Sequence, residues 1–129
     1  MRILVVEDDA EIRELLRIAL ETRGGRVAAV RSTEEALQLV RQHTPDVLIS
    51  DIFMPPGADG IALLGRLNAM QAQKAKKTQA IALSGRLHPD VRERALAAGF
   101  QVFIAKPVAA TEVIGTVARL TGRAARTLH

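Results

Sequence analysis

Short, continuous apolar runs alternate along this chain with segments whose apolar residues recur every three or four positions. Ile3–Val6, rich in β-branched residues, predicts a strand buried on both faces. Ile12, Leu15, Leu16, Ala19 and Leu20 follow at helical spacing, with Asp9 as a candidate N-cap and Gly24-Gly25 as the stop. Val27–Val30 predicts a second strand, and Ser32 or Thr33 caps a helix whose inner face is Ala36, Leu37 and Val40. Beyond Pro45, Asp46–Asp51 predicts a third strand. The Pro55-Pro56-Gly57 loop then leads to a helix from about Gly60, with Leu63, Leu64 and Leu67 inside. Ala80–Leu83 predicts a fourth strand, residues 89–98 a helix ended by Gly99, and Val102–Ala105 a fifth strand. Val113, Ile114, Val117 and Leu120 form the inner face of a last helix. Five strands in strict alternation with five helices imply an α/β fold, a parallel sheet covered on both faces.

Composition narrows the class. A chain of 129 residues fits one domain, and 48% hydrophobic with 25% charged residues is ordinary for a soluble globular protein. The absence of cysteine excludes disulfides, thiol catalysis and thiolate metal sites. The apolar runs are too short to span a bilayer, and Met1-Arg2 leads straight into the first strand, so a cytoplasmic domain without membrane contact is expected. The net charge of +4 divides unevenly: seven basic and ten acidic residues lie in 1–51, eleven basic and four acidic in 52–129. With no Trp, no Tyr and three Phe, the chain lacks a stacking platform for single-stranded nucleic acid. The Lys74, Lys76, Lys77 cluster and the looser Arg119, Arg123 and Arg126 therefore read as solvated surface.

Parallel sheets place their sites at the carboxyl ends of strands, beside the switch in strand order. The first strand ends in Glu7-Asp8-Asp9, the third in Asp51, the fourth in Ser84-Gly85 and the fifth in Lys106-Pro107. Two unit charges about 4 Å apart repel by roughly 4 kcal/mol at an effective dielectric of 20. Glu7, Asp8 and Asp51 together thus call for a cation, and an all-oxygen donor set suits Mg²⁺. His43, His88 and His129 lie away from the cluster, against zinc. A hard cation beside a carboxylate, a hydroxyl and an ammonium is equipment for phosphoryl transfer to a carboxylate nucleophile.

These motifs, in order and spacing, resemble the receiver domain of two-component response regulators. The match spans residues 1 to about 121 and rests on Ile3 to Asp9, on Asp51 with Met54-Pro55 and Gly60, on Leu83-Ser84-Gly85 and on Ala105-Lys106-Pro107. The resemblance implies a doubly wound, flavodoxin-like receiver fold with strand order 2-1-3-4-5. A short basic tail, 122–129, would follow the receiver domain. It also implies that Asp51 accepts the phosphoryl group. Asp8 would ligate Mg²⁺ directly, Glu7 through water, with Asp51 and the Phe53 carbonyl completing the protein ligands. Ser84 and Lys106 would bind phosphoryl oxygens, the Lys106–Pro107 peptide would be cis, and Ser84 with Phe103 would form the switch. Partners would be a histidine kinase or phosphotransfer protein and a downstream protein target, met through the fourth helix, fifth strand and fifth helix.

Several positions depart from the family pattern. Gly60 stands nine residues beyond Asp51 where relatives commonly have eight, which implies one extra residue in the Pro55-Pro56-Gly57-Ala58 stretch. Phe103 replaces a frequent Tyr. Phe100-Gln101 stands where many DNA-binding relatives carry two acidic residues, so a monomer or weak dimer without DNA binding of its own is expected. Phe53 and Arg86 would border the mouth of the site and shield a phosphoryl group from water. Two alternatives compete. A phosphohydrolase of the dehalogenase type needs a second Asp where Phe53 stands, and a phosphorylation-independent scaffold would keep the fold without the chemistry. An enzyme with turnover is not expected.

Overall fold

The computed structural model describes residues 1–53, 60–85, 89–124 and 127–128. Ten elements alternate: β1 (Arg2–Val6), α1 (Ala10–Thr22), β2 (Arg26–Val30), α2 (Thr33–Gln42), β3 (Val47–Asp51), α3 (Gly60–Met70), β4 (Gln79–Ser84), α4 (Pro89–Ala98), β5 (Val102–Ala105) and α5 (Ala110–Thr121). All strand pairs are parallel, and the order is β2-β1-β3-β4-β5. The chain winds outward from β1 to β2, then crosses to β3 and continues the other way. The switch point therefore lies between the carboxyl ends of β1 and β3, which carry Glu7 and Asp51.

The period-two alternation of β1 splits the core into two layers. Ile3 and Val5 face Leu16 and Leu20 of α1 and Val113, Ile114 and Val117 of α5. Leu4 and Val6 face Ala36 and Val40 of α2, Leu63, Leu64 and Leu67 of α3, and Ala95 of α4. β3 is buried along its whole length, as a strand covered on both faces requires. β2 differs because it lies at the edge, and only Val30 of its five residues is buried.

Local signals set the ends of the elements. Asp9 caps α1, accepting hydrogen bonds from the amides of Glu11 (2.9 Å) and Ile12 (3.1 Å). Ser32, not Thr33, caps α2 by accepting from the Glu35 amide at 3.2 Å. Gly99 has φ of +113°, a conformation that side-chain-bearing residues rarely adopt, and it turns the chain out of α4. Asp46 stays outside β3, since its carboxylate accepts from the Arg2 backbone amide at 2.8 Å and so pins the strand starts together. A buried clamp closes the same end: Gln71 Nε2 donates to Thr78 Oγ1 (2.8 Å), and Thr78 Oγ1 donates to the Pro45 carbonyl (2.7 Å).

Two expectations need adjusting. Leu120 packs against the α1–α5 layer but is only partly buried, and Thr116 and Ala118 are buried in addition. Beyond α5, Leu128 is fully buried within the α1–α5 layer, and its amide donates to the Arg23 carbonyl. The proposed extra loop residue near Pro55-Pro56-Gly57 and the tail residue Arg126 lie outside the described residues.

Leu128 makes a prediction available. Leu128→Ala removes apolar volume from a closed layer and should destabilise the fold by about 2–3 kcal/mol. Urea unfolding followed by circular dichroism measures this, and the chain's lack of Trp makes that the practical probe.

Candidate functional site

Four strand ends converge on one edge of the sheet. β1 delivers Glu7 and Asp8, β3 delivers Asp51, β4 delivers Ser84, and Lys106 follows β5. Lys106 Nζ donates to Glu7 Oε1 at 2.7 Å and to Asp51 Oδ2 at 2.9 Å. Carboxylate oxygens of Glu7, Asp8 and Asp51 lie within 4.8 Å of one another. Glu7 and Asp51 are buried while Asp8 is exposed, so the cluster opens to solvent on one side. The Lys106–Pro107 peptide is cis.

The backbone holds these groups in place. The second oxygen of Asp51, Oδ1, accepts the Phe53 amide at 3.1 Å. The Ser84 carbonyl accepts the Lys106 amide at 2.8 Å, which ties the β4 end to the lysine. Ser84 itself is fully buried. Ala82 and Phe103 are register partners, as are Ser84 and Ala105, so Ser84 and Phe103 share one face of the sheet as diagonal neighbours. Phe103 is partly buried and packs against the α2–α3–α4 layer.

Burial dominates the electrostatics at Glu7. Loss of solvent raises its carboxyl from 4.5 to about 7, against the lowering effect of the hydrogen bond from Lys106 and with the Asp51 charge adding to the rise. Burial alone would lower Lys106, but its bonds to Glu7 and Asp51 outweigh that and hold the ammonium above the ordinary lysine range. The buried Glu7 Oε2 has no hydrogen-bond partner. An unpaired buried oxygen beside two further carboxylates fits a hard divalent cation, which would satisfy the orphan and offset the mutual repulsion.

One supporting residue, Arg13, was not evident in the sequence, and a second, Gly60, was marked only by the family resemblance. Arg13 of α1 donates from Nη1 to the Glu7 carbonyl at 2.9 Å and so ties the helix to the end of β1. Its only sequence signal is its position one turn after the Asp9 cap. Gly60 is needed for close approach: a Cβ there would stand 2.4 Å from the Asp51 carbonyl oxygen and 2.8 Å from Ser50 Oγ. The Gly60 amide closes the loop onto the Ile52 carbonyl at 3.0 Å. Arg86, expected to shield the site with Phe53, lies outside the described residues, as do Met54 and Pro55.

Residues 3–118 match the family described as response regulator receiver domain. The chain is 39% identical over 117 residues to an uncharacterized 14.6 kDa protein of Leptolyngbya boryana, covering 91% of this chain and 87% of that one. It is 34% identical over 120 residues to the sensory/regulatory protein RpfC of Xanthomonas campestris, covering 93% of this chain but only 16% of RpfC. A crystal structure of a CheY-like receiver domain protein from Methanospirillum hungatei JF-1 superposes with a TM-score of 0.84 at 23% identity, over 94% of this chain and 93% of that one. The last likeness establishes the fold. Nothing in these likenesses favours a phosphohydrolase or a scaffold without phosphoryl chemistry.

The geometry yields two predictions. A divalent cation needs Glu7 deprotonated, so apparent affinity should fall about tenfold from pH 8 to pH 6, as competition with a proton near pH 7 requires. Calorimetric Mg²⁺ titration at the two pH values measures this. The same raised carboxyl favours the metal-free fold at low pH, a contribution present below 4.5 and lost as pH rises through about 7. Separately, Gly60→Ala must push the Asp51 carbonyl aside and should cost about 1–3 kcal/mol. Urea unfolding gives the magnitude, and displaced amide resonances of Ile52 and Phe53 would locate the strain.

Proposed function

This chain belongs to the response regulator receiver domain family, and we propose that Asp51 is its phosphoacceptor. The observation that carries this reading is the single ammonium of Lys106 bonded at once to Glu7 and Asp51 inside a three-carboxylate cluster. The donor is a phosphohistidine of a histidine kinase or phosphotransfer protein, or a small acyl phosphate. An Asp51 carboxylate oxygen forms the new P–O bond as the donor's bond to phosphorus breaks, P–N in a phosphohistidine and P–O in an acyl phosphate, and the electron pair of that bond leaves with the imidazole or the carboxylate.

The chain's own groups prepare this step. Each Asp51 oxygen accepts one hydrogen bond, from the Phe53 amide and from Lys106, which leaves lone pairs on both for other partners. Lys106 pairs with a phosphoryl oxygen once the carboxylate charge has moved onto phosphate, and the Ser84 hydroxyl donates to a second oxygen. Glu7, Asp8, Asp51 and the Phe53 carbonyl would hold Mg²⁺, which when bound neutralises phosphoryl oxygens. The domain is a signalling module acting in the cytoplasm, with no turnover beyond its own transfer and slow autodephosphorylation. Among the described residues no helix is long and apolar enough to cross a membrane.

Output runs through Ser84 and Phe103. The new charge of roughly −1.5 to −2 draws the Ser84 hydroxyl toward Asp51, and Phe103 turns into the space vacated. Phe103 lies in β5, so the surface biased is that of α4, β5 and α5. Arg92, Arg94 and Arg119 are exposed there, as is 44% of Leu96, and this favours an acidic protein target. Phe100 is buried in the core and Gln101 accepts the Ala80 amide at 2.6 Å. Neither supplies a carboxylate for a salt-bridged dimer, which supports a monomer or weak dimer that does not bind DNA by itself.

Acetyl phosphate with Mg²⁺ should add one phosphoryl group by intact-mass spectrometry, and Asp51→Asn should add none. Labelling of Asp51→Asn at the wild-type rate would refute the assignment. Lys106→Ala should slow labelling about a hundredfold, the usual loss for one charge-stabilising donor. Phe103→Ala should label normally, yet lose the beryllofluoride-induced amide shifts of α4 and β5.

A further inference from the structure

A second feature sits at the opposite end of the sheet from the carboxylate cluster. A groove of about 550 Å³ opens beside β2, walled by Leu4, Val27, Ala28, Leu39 and Pro45. Arg2, Arg26 and His43 line it as well. β2 ends the sheet, and among the described residues no strand lies on its outer side. The Arg26 amide donates to the Met1 carbonyl, and the Val30 carbonyl accepts from the Glu7 amide, so these alternate residues bond inward to β1. The intervening Val27 and Ala29 therefore turn their N–H and C=O groups to the open edge.

The charges at this edge are unbalanced. Arg2 and Arg26 are register partners on β1 and β2, which sets two cations side by side on one face of the sheet. The nearby carboxylates are committed elsewhere. Glu21 pairs with Arg17 at 2.8 Å, and Asp46 accepts the Arg2 backbone amide and pairs with Lys76 at 3.4 Å. Among the described residues no carboxylate forms an ion pair with Arg2 or Arg26.

We propose that this edge docks an extended acidic segment of a partner protein, added to the sheet as a sixth strand beside β2. Backbone groups of the segment meet Val27 and Ala29, its carboxylates lie on the face that carries Arg2 and Arg26, and its alternate apolar side chains lie on the other face beside the partly buried Val27 and Ala29. A second copy of this chain is the poorer occupant, since an antiparallel pair of β2 edges would bring the Arg26 end of each copy to the Arg31 end of the other and supply no carboxylate to Arg26 beyond the Glu35 already paired with Arg31. The groove lies toward the amino end of β2, the end away from Asp51, and the proposal is independent of the phosphoacceptor reading.

The probe is an eight-residue peptide of alternating Glu and Val, blocked at both ends, with a Lys and Val peptide as control. Amide exchange by NMR should slow about tenfold or more at Val27 and Ala29 with the acidic peptide, leaving Ala28 unchanged, because only new edge hydrogen bonds add protection. Added salt should weaken binding. Ala29→Pro removes an outward N–H that β1 does not use, at an edge position where proline is tolerated, and should abolish binding. Arg26→Glu should invert the preference between the two peptides, and this decides the matter if Ala29→Pro fails to fold. Equal binding of both peptides, protection elsewhere on the surface, or an Arg26→Glu variant with unchanged preference would overturn the proposal.

Discussion

Lys106 resolves an electrostatic conflict on which the rest of the site depends. Glu7, Asp8 and Asp51 are brought together by strands whose order the core dictates, and their repulsion would otherwise open the edge of the sheet. One ammonium bonds to two of the three carboxylates. The compensation is incomplete, because Glu7 Oε2 stays unpaired and burial raises the Glu7 carboxyl to about 7. A site left short of positive charge is primed for a divalent cation. It is also primed for an event that moves negative charge outward from the carboxylates onto phosphate.

The fold keeps that conflict in register. β3 is buried on both faces and cannot slide without exposing Val47, Leu48 and Ile49, so Asp51 is fixed relative to Glu7 on β1. Arg13 clamps the end of β1 from α1, and Gly60 lets α3 begin hard against the Asp51 carbonyl. Ser84 and Phe103 share a face on neighbouring strands, so a change at the phosphoryl end has a short route through packed side chains to the α4–β5–α5 surface. Strands buried in the core hold the carboxylates, and Phe103, the proposed switch, is only partly buried.

Much of this was legible in the chain. Short β-branched runs, Asp9 as a cap and glycines after helices have local causes, and the element order follows from them. Residues at the strand ends were legible because parallel topology forces the carboxyl ends onto one edge. Contacts that depend on three-dimensional approach were not. The Arg13 bond to the Glu7 carbonyl, the clash a Cβ at 60 would cause and the burial of Leu128 arise from tertiary packing, and no periodicity encodes them. The edge position of β2 came only with the strand order that the family resemblance implied, since Val27–Val30 by itself reads as apolar as any central strand. Phe100 shows the converse. The family resemblance implies an acidic surface position there, yet its ring is enclosed by the core.

On the proposed reading, the carboxylate at the carboxyl end of β3, and no other of the cluster, takes the phosphoryl group. Borohydride reduction of an acyl phosphate converts the aspartate to homoserine, which peptide mass spectrometry locates. After treatment with acetyl phosphate and Mg²⁺, homoserine at position 51 alone is the predicted result. Homoserine at position 8 or 9, or a phosphorylated protein in which position 51 remains aspartate, would contradict the account.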